Sequence, residues 1–231
     1  MGGKRIIQAF GLLAAMITFG FAAGSAGAVT IGASPTGYTF TSDVFTQAPG
    51  ELSVFENPPE SGFHNVTSSS LGPDGAELFV SESIMGGGTV PVAGTEYLDA
   101  GSYPFVCTLH PGMDAELIVA GAGAAVPRPA FRLSVPRQKM KQVRKTRKIK
   151  VKVNASSLSN GITIRLLKGR QKISAPVSLN LKPGSAKTVA VKLNGAGRKA
   201  VKKIKQGRKF PVSVAGEVPF GKPAKANRKL R

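Results

Sequence analysis

The chain has 231 residues and a formal net charge of +20, and its 42% hydrophobic content is enough for one or two ordinary cores. The single cysteine excludes an internal disulfide bond. The charge is unevenly divided: residues 29–127 contain eleven Asp and Glu and no Lys or Arg, whereas residues 128–231 contain thirty Lys and Arg and one Glu. This division predicts two modules with different tasks.

Residues 1–28 have the pattern of an export signal. Lys4 and Arg5 precede an apolar stretch from Ile6 to Ala23, and Ala26-Gly27-Ala28 offers the small residues of a cleavage site. Cleavage is the favoured interpretation, and an uncleaved N-terminal membrane anchor is the alternative. We therefore expect an exported protein that is periplasmic, associated with the cell envelope or extracellular.

Residues 29–120 predict a domain of seven or eight short strands, which is the spacing of a β-sandwich or barrel. Gly86 to Gly88 is predicted to be flexible, and the Gly/Ala-rich residues 121–130 are predicted to be a linker. The strands are predicted at Thr36–Phe45, Gly50–Asn57, Phe63–Thr67, Ala76–Ser81, Thr89–Val92, Tyr97–Leu98, Ser102–Cys107 and Glu116–Val119.

Residues 131–221 predict a second small antiparallel β-sandwich of immunoglobulin-like type, so the fold class is all-β. Five segments within it alternate polar and apolar residues, and Gly197 to Lys205 predicts a short basic helix. Residues 222–231 are predicted to be a frayed basic tail. The alternating segments are 151–153, 162–166, 177–181, 188–193 and 210–214.

The rarest side chains of the sequence are concentrated in the segment from Tyr103 to Met113. Cys107, His110 and Met113 are three residues apart, and Pro111-Gly112 places them on a loop rather than a helix. A mononuclear site needs another donor, and His64 is the one other histidine. A thiolate, two imidazoles and a thioether suit copper cycling between Cu(I) and Cu(II). Zinc is the alternative, with the cysteine, both histidines and a water as ligands.

These residues resemble the cupredoxins, nearest to plastocyanin and pseudoazurin. The likeness spans about residues 35–120 and depends on Asn65 after His64, on the YP.VCTLHPGM motif at residues 103–113 and on the strand at 116–119. It implies a Greek-key sandwich that holds one type 1 copper. It also implies His64, Cys107 and His110 as equatorial ligands, Met113 as the axial ligand, and an Asn65 side chain that ties the two ligand segments together near Thr108.

One feature departs from the family pattern. Cupredoxins usually have a small step containing glycine soon after the axial methionine, whereas this chain continues with Asp114-Ala115-Glu116. The departure leaves the ligand set intact and makes the exit of the loop the least predictable part of the motif.

We interpret the protein as an electron carrier rather than an enzyme. Copper oxidases need additional copper ions bound by histidine, and both histidines of this chain are already assigned to the one proposed site. A copper-handling protein without an electron-transfer role and a wall-binding structural protein are the alternatives. Redox partner proteins are expected. Through residues 128–231 we expect a highly charged solvated surface or adhesion to an anionic cell-wall polymer or membrane surface, and docking of the acidic half on the basic half is a third option. Nucleic acid is not expected, because aromatic residues are not interleaved with the charges.

Overall fold

The computed structural model describes residues 28–205 and 207–231, so the predicted export signal lies outside the described residues except for Ala28. The predicted all-β class is confirmed, because nearly all regular structure consists of strands. Two separate hydrophobic cores are present, one built from residues 31–119 and one from residues 131–230. Within the described ranges, no helix has the length and apolar character needed to cross a membrane.

The N-terminal sandwich, residues 30–119, has a sheet in the order β1-β3-β7, a second in the order β2-β9-β8-β5, and the short pair β4-β6. Phe55 from the first sheet and Phe105 and Leu117 from the second pack in one core. The strands are β1 Thr30–Gly32, β2 Val44–Gln47, β3 Val54–Asn57, β4 Phe63–His64, β5 Thr67–Ser68, β6 Ile84–Met85, β7 Gly88–Pro91, β8 Gly101–Val106 and β9 Asp114–Val119.

Three predicted strands of this sandwich are wrong. Thr36–Phe45 forms no continuous strand before Val44, where β2 begins. Thr95–Tyr97 forms a 3-10 helix where a strand was expected at Tyr97–Leu98, and the helix follows Gly94, whose φ of 104° suits a residue without a side chain. Ala76–Ser81 makes isolated bridges at Glu77 and Val80 and no continuous strand.

The C-terminal sandwich, residues 131–230, also has two sheets around one core. One sheet has the order β10-β11-β15; the other has the order β13-β12-β16-β17, and β14 also pairs with β12. Its elements are β10 Phe131–Ser134, α1 Met140–Thr146, β11 Lys148–Ala155, β12 Ser159–Lys168, β13 Gln171–Lys172, β14 Val177–Leu181, β15 Ala186–Lys192, α2 Gly195–Lys202, β16 Phe210–Val218 and β17 Gly221–Leu230.

Two short helices lie at one end of this sandwich. The sequence predicted α2, which Asn194 caps by accepting a hydrogen bond from the Gly197 N–H at 2.9 Å. It did not predict α1, because Lys and Arg dominate that segment; Met140 and Val143 are nevertheless buried and attach α1 to the core. Tertiary packing therefore stabilises a helix whose local pattern is weak.

The predicted frayed tail at residues 222–231 is wrong. These residues form β17, a ten-residue strand that pairs antiparallel with β16 from Phe210↔Leu230 to Val218↔Gly221. The inward-facing positions are occupied by small residues such as Ala224 and Ala226, while the intervening positions are exposed. Because the inward residues are small, the alternation that marks a strand is hard to recognise among the lysines.

The two sandwiches touch where the β16–β17 turn reaches the N-terminal sandwich. The Phe220 N–H donates to Asp74 Oδ2 at 2.7 Å, and the Phe220 ring lies 5.8 Å from that of Tyr97. A side chain at Gly94 would approach the Phe220 ring to 2.8 Å, so glycine is needed for this contact. Gly94 precedes β8, so the contact lies at the β8 end farthest from Cys107.

Candidate metal centre

The loop of residues 107–113 joins β8 to β9 and is closed by its own backbone. The Cys107 N–H donates to the Met113 carbonyl at 2.9 Å, the His110 N–H to the Cys107 carbonyl at 3.4 Å, and the Met113 N–H to the His110 carbonyl at 3.2 Å. Gly112 has a φ of 82°, which its lack of a side chain permits. The loop therefore holds its three potential donor residues within one short turn.

The exit of the loop is direct. β9 begins at Asp114, the residue after Met113, and Asp114 pairs with Val106 at the end of β8. The departure from the usual cupredoxin pattern is thus accommodated by starting the strand at once. Met113 itself is 1% exposed and belongs to the hydrophobic core.

His64 comes from β4 and meets the loop in space. Its Nδ1 lies 3.8 Å from Cys107 Sγ, and His110 Nδ1 lies 3.6 Å from the same sulfur. The three donor atoms are all within 4.8 Å of one another. His64 and Cys107 are buried and His110 is partly exposed, so the cluster opens to solvent through the His110 ring.

A turn before β4 sets the orientation of the His64 ring. His64 Nε2 lies 2.6 Å from the Ser61 carbonyl oxygen, and the Ser61 hydroxyl hydrogen-bonds to Asn57. Since a carbonyl oxygen only accepts, Nε2 carries the proton and Nδ1 presents its lone pair to Cys107. Burial lowers the pKa of His64, His110 lowers it further by charge repulsion, and the Ser61 hydrogen bond opposes both; the net effect favours the neutral ring.

Asn65 joins the two ligand segments. Its Oδ1 accepts from the Thr108 N–H at 2.9 Å, and its Nδ2 donates to Thr108 Oγ1 at 2.8 Å and to Ser83 Oγ at 3.0 Å. The two bonds to Thr108 connect residues 43 positions apart in the chain. The resemblance implied this arrangement, in which an outer residue orients the residues next to the donors.

An aromatic ring that the sequence did not point to covers the exposed histidine. Tyr38 stacks on His110 with ring centroids 4.1 Å apart and an interplanar angle of 12°. Tyr38 is 63% exposed and lies 72 positions before His110, so no local pattern links them. Stacking of this kind restrains the orientation of the imidazole ring.

Exposed apolar side chains lie next to the two histidines in the chain and across the β4–β6 pair. Phe63 and Met85, which pair across β4 and β6, are 50% and 60% exposed, and Leu109 on the donor loop is 46% exposed. Phe63 and Leu109 are next to His64 and His110 in the sequence, whereas Met85 lies 21 positions after His64 and reaches this region only through the pairing of β4 with β6. Such a concentration of exposed apolar residues is unusual on a water-soluble surface and typical of a contact region.

The chemistry of the donor set can be tested against candidate metals. Two imidazole nitrogens and one thiolate converge, and a buried thioether residue lies on the same loop; this is the donor set of a type 1 copper site. The zinc alternative, with the same three ligands and a water, makes no use of the buried Met113 thioether on the same loop, whereas copper does. The residues present therefore fit one copper ion.

No family model matches the chain, and no curated protein matches it. Among solved structures, auracyanin A, described as a blue copper protein from Chloroflexus aurantiacus, is 21% identical over 40% of this chain and 98% of its own, with a TM-score of 0.34. Amicyanin from Paracoccus versutus is 25% identical over 40% of this chain and 81% of its own, with a TM-score of 0.32. Auracyanin B is 18% identical over 42% and 91%, with a TM-score of 0.33.

Proposed function

We propose that this protein is an exported mononuclear blue-copper protein that carries single electrons between redox partners. The observation that carries the proposal is the convergence of His64 Nδ1, Cys107 Sγ and His110 Nδ1 within 4.8 Å of one another. In the proposed site His64, Cys107, His110 and Met113 would hold the copper ion. Bound copper would supply the one-electron couple between Cu(I) and Cu(II), which this mixture of soft and borderline donors serves in both states.

The chain's own contribution is to hold the donors in one geometry. Asn65 ties Thr108 to the segment of His64, and the three backbone bonds of the loop keep Cys107, His110 and Met113 together. A donor set that is held from outside needs little rearrangement when an electron arrives or leaves. The chain has two histidines and both lie in this cluster, so none remains for a second copper of oxidase type.

The route for the electron in this proposal is the partly exposed edge of His110. Tyr38 stacks on His110, and together with the exposed side chains of Phe63, Met85 and Leu109 it would form an apolar rim that excludes water when a partner covers it. Exposed apolar groups also allow a short-lived contact, because they add no long-range charge attraction of their own. A redox partner protein of unidentified structure would dock on this rim.

The visible spectrum after metal loading tests the copper site. Adding Cu(II) to the metal-free protein should produce an intense thiolate-to-copper absorption band in the visible spectrum, as expected for copper bound to one thiolate and two imidazoles. Zn(II) loading is the matched control and should give no colour, since zinc has no redox or d-electron transition. A colourless Cu(II) complex would refute the blue-copper assignment.

Electron self-exchange separates a carrier from a copper-handling protein. A carrier should show a reversible reduction potential and fast exchange between reduced and oxidised molecules, because its ligands are held in place by the surrounding hydrogen bonds. Slow exchange together with copper that a mild chelator removes would favour copper handling instead.

The C-terminal sandwich supports a further part of the proposal, namely attachment to an anionic cell-wall polymer or membrane surface. Residues 128–231 carry thirty Lys and Arg and one Glu. The contact between the sandwiches lies at the end of β8 away from Cys107, so attachment through the basic sandwich leaves the rim around His110 accessible. Binding of this kind is electrostatic and should weaken as salt is raised.

A further inference from the structure

A groove of about 370 Å³ lies between α1 and α2 at one end of the C-terminal sandwich. Its floor is apolar, formed by the buried side chains of Val143, Leu193 and Val201. Its remaining lining contains no Asp or Glu and consists of Gly195 and five cationic residues. These cations are Arg144, Arg147, Arg198, Lys199 and Lys202.

The walls of the groove are tied together. The Arg144 guanidinium donates to the carbonyl of Ile204, just beyond α2, and so joins α1 to the second helix. The Leu193 N–H donates to the Arg147 carbonyl at 2.9 Å. This bond links the C-terminal end of α1 to the two residues that connect β15 to α2. Five cations on two linked helices repel one another, so the arrangement favours a bound anion.

The start of α2 adds to this potential. Gly195 lines the groove and is the first residue of α2. Asn194 accepts from the Gly197 N–H, while the preceding N–H groups at a helix start have no partner within the helix. The positive end of the helix dipole therefore faces the groove together with Arg147 and Arg198.

The cationic lining continues onto the outer face of the adjoining sheet. Lys148, the residue after Arg147, pairs directly with Lys192, the residue before Leu193, and both are exposed. Like charges in directly opposed strand positions are unfavourable. Lys150 and Lys152 follow at the next outward positions of β11, so the face repeats a cation every second residue.

The surface chemistry narrows the class of ligand. All three aromatic residues of 128–231 are engaged: Phe131 and Phe210 are buried in the core, and Phe220 packs against Tyr97. None is therefore free to stack on a nucleic-acid base. Within the described part of this sandwich, Leu158 is the single large apolar residue that is exposed, which leaves no apolar face for insertion into a bilayer.

We propose that the α1–α2 groove binds one phosphate group of a linear, base-free polyanion, whose following charged groups lie over the Lys148–Lys192 pair and the outer face of β11. The inference rests on the proposed attachment to an anionic polymer and assigns that attachment to a particular site. A single phosphate binds weakly, and a polymer binds more tightly because several of its groups are engaged at once.

The test uses the full copper-loaded protein with long-chain inorganic polyphosphate and with inorganic phosphate as separate probes. Arg198→Gln combined with Lys199→Gln removes two charges from the groove. The matched control, Lys222→Gln combined with Lys225→Gln, removes two charges from exposed positions of β17 in the other sheet. The groove variant should bind polyphosphate roughly tenfold more weakly, and the control should change affinity by about twofold at most.

Nuclear magnetic resonance spectra provide a second measurement. A change in the net charge of the protein alone would not alter the local resonance shifts that it detects. Inorganic phosphate should shift the amide resonances of Gly195 and Ala196 in the native protein and not in the groove variant. Equal losses of polyphosphate affinity in both variants would overturn the groove as a site while leaving electrostatic attachment in place. Tighter binding of a single-stranded oligonucleotide, or of acidic phospholipid vesicles, at matched charge would overturn the choice of a base-free polymer.

Discussion

The two sandwiches place their polar chemistry in opposite locations. Nine polar residues are buried in the N-terminal sandwich, among them Gln47, Asn57, His64 and Asn65. Of the residues that the structure describes in the C-terminal sandwich, the buried polar ones are two serines, Ser159 and Ser174. Among the described residues every buried side-chain nitrogen and oxygen has a hydrogen-bond partner. The N-terminal interior is thus organised around specific polar contacts, and the C-terminal interior by apolar packing.

This difference determines how each sandwich can act. A buried polar group is costly unless it is bonded, so a network such as that of Asn65 specifies one geometry and suits a metal centre. An apolar core leaves the surface free to vary, and residues 128–231, which include the C-terminal sandwich, carry thirty Lys and Arg, none of them buried. We expect single substitutions of the hydrogen-bonded residues to have large effects on the stability and metal centre of the N-terminal sandwich. Single substitutions on the surface of the C-terminal sandwich should have small, additive effects.

The largest effect should come from Cys107→Ser. The substitution removes the single thiol of the sequence, so the thiolate-to-copper band should disappear completely, although the fold is retained because serine is of similar size. Visible absorption measures the band, and far-ultraviolet circular dichroism controls for folding. Persistence of the band in a folded variant would show that Cys107 is not a ligand.

Asn65→Ala should have the next largest effect. It removes three hydrogen bonds and leaves the Thr108 N–H without its acceptor, at a cost of about 2–4 kcal/mol in the free energy of unfolding. Urea denaturation of the full protein measures this cost, with loss of the copper colour as the signal that the N-terminal sandwich unfolds.

Asn180→Ala is the matched control for Asn65→Ala. The exposed Asn180 side chain accepts one hydrogen bond, from the Gly161 N–H at 2.7 Å, in the C-terminal sandwich. It should lower stability by about 1 kcal/mol and leave the copper colour unchanged. If both substitutions had the same small effect, the contrast between the two interiors would be wrong.

The smallest effect concerns the contact between the sandwiches. Phe220→Ala removes the ring that packs on Tyr97 and Gly94. We expect the interaction free energy between the two sandwiches to fall by about 1 kcal/mol. Calorimetry should then show the two sandwiches unfolding at more widely separated temperatures. Leu158→Ala, which truncates an exposed side chain, should not separate them. An unchanged separation in the Phe220 variant would mean that this contact does not couple the sandwiches.

The candidate centre was largely predictable because its chemistry is rare in the sequence. Cys107, His110 and Met113 are close in the chain, and the chain has one further histidine to offer. The contributions of Tyr38 and of the Ser61 carbonyl were not predictable, since one depends on stacking between distant segments and the other on a backbone atom that any residue supplies.

Strand orientation shows a further limit of sequence patterns. The alternation at residues 52–57 places Leu52 and Val54 on one face, yet Ser53, Phe55 and Asn57 are the buried residues. Ser53 and Asn57 point inward because they are hydrogen-bonded there. The glycines at 86–88 illustrate the same limit: they were predicted to be flexible, but a side chain at Gly86 would approach the Pro58 carbonyl oxygen to 2.6 Å. Close approach of two backbones explains that glycine.

The sequence by itself determined the division of charge, the all-β class and the candidate metal donors, because these depend on composition and on spacings of two or three residues. The tertiary structure decided which polar residues lie inside, that residues 222–231 form a strand, and that α1 and α2 bring five cations to one groove. These features depend on contacts between distant segments. The energies of such contacts exceed the secondary-structure propensities of the local sequence, and no pattern among neighbouring residues reveals them. The segment from Cys107 to Met113 belongs to both groups: its donors follow from the sequence, while their convergence with His64 and the cover provided by Tyr38 follow from the fold.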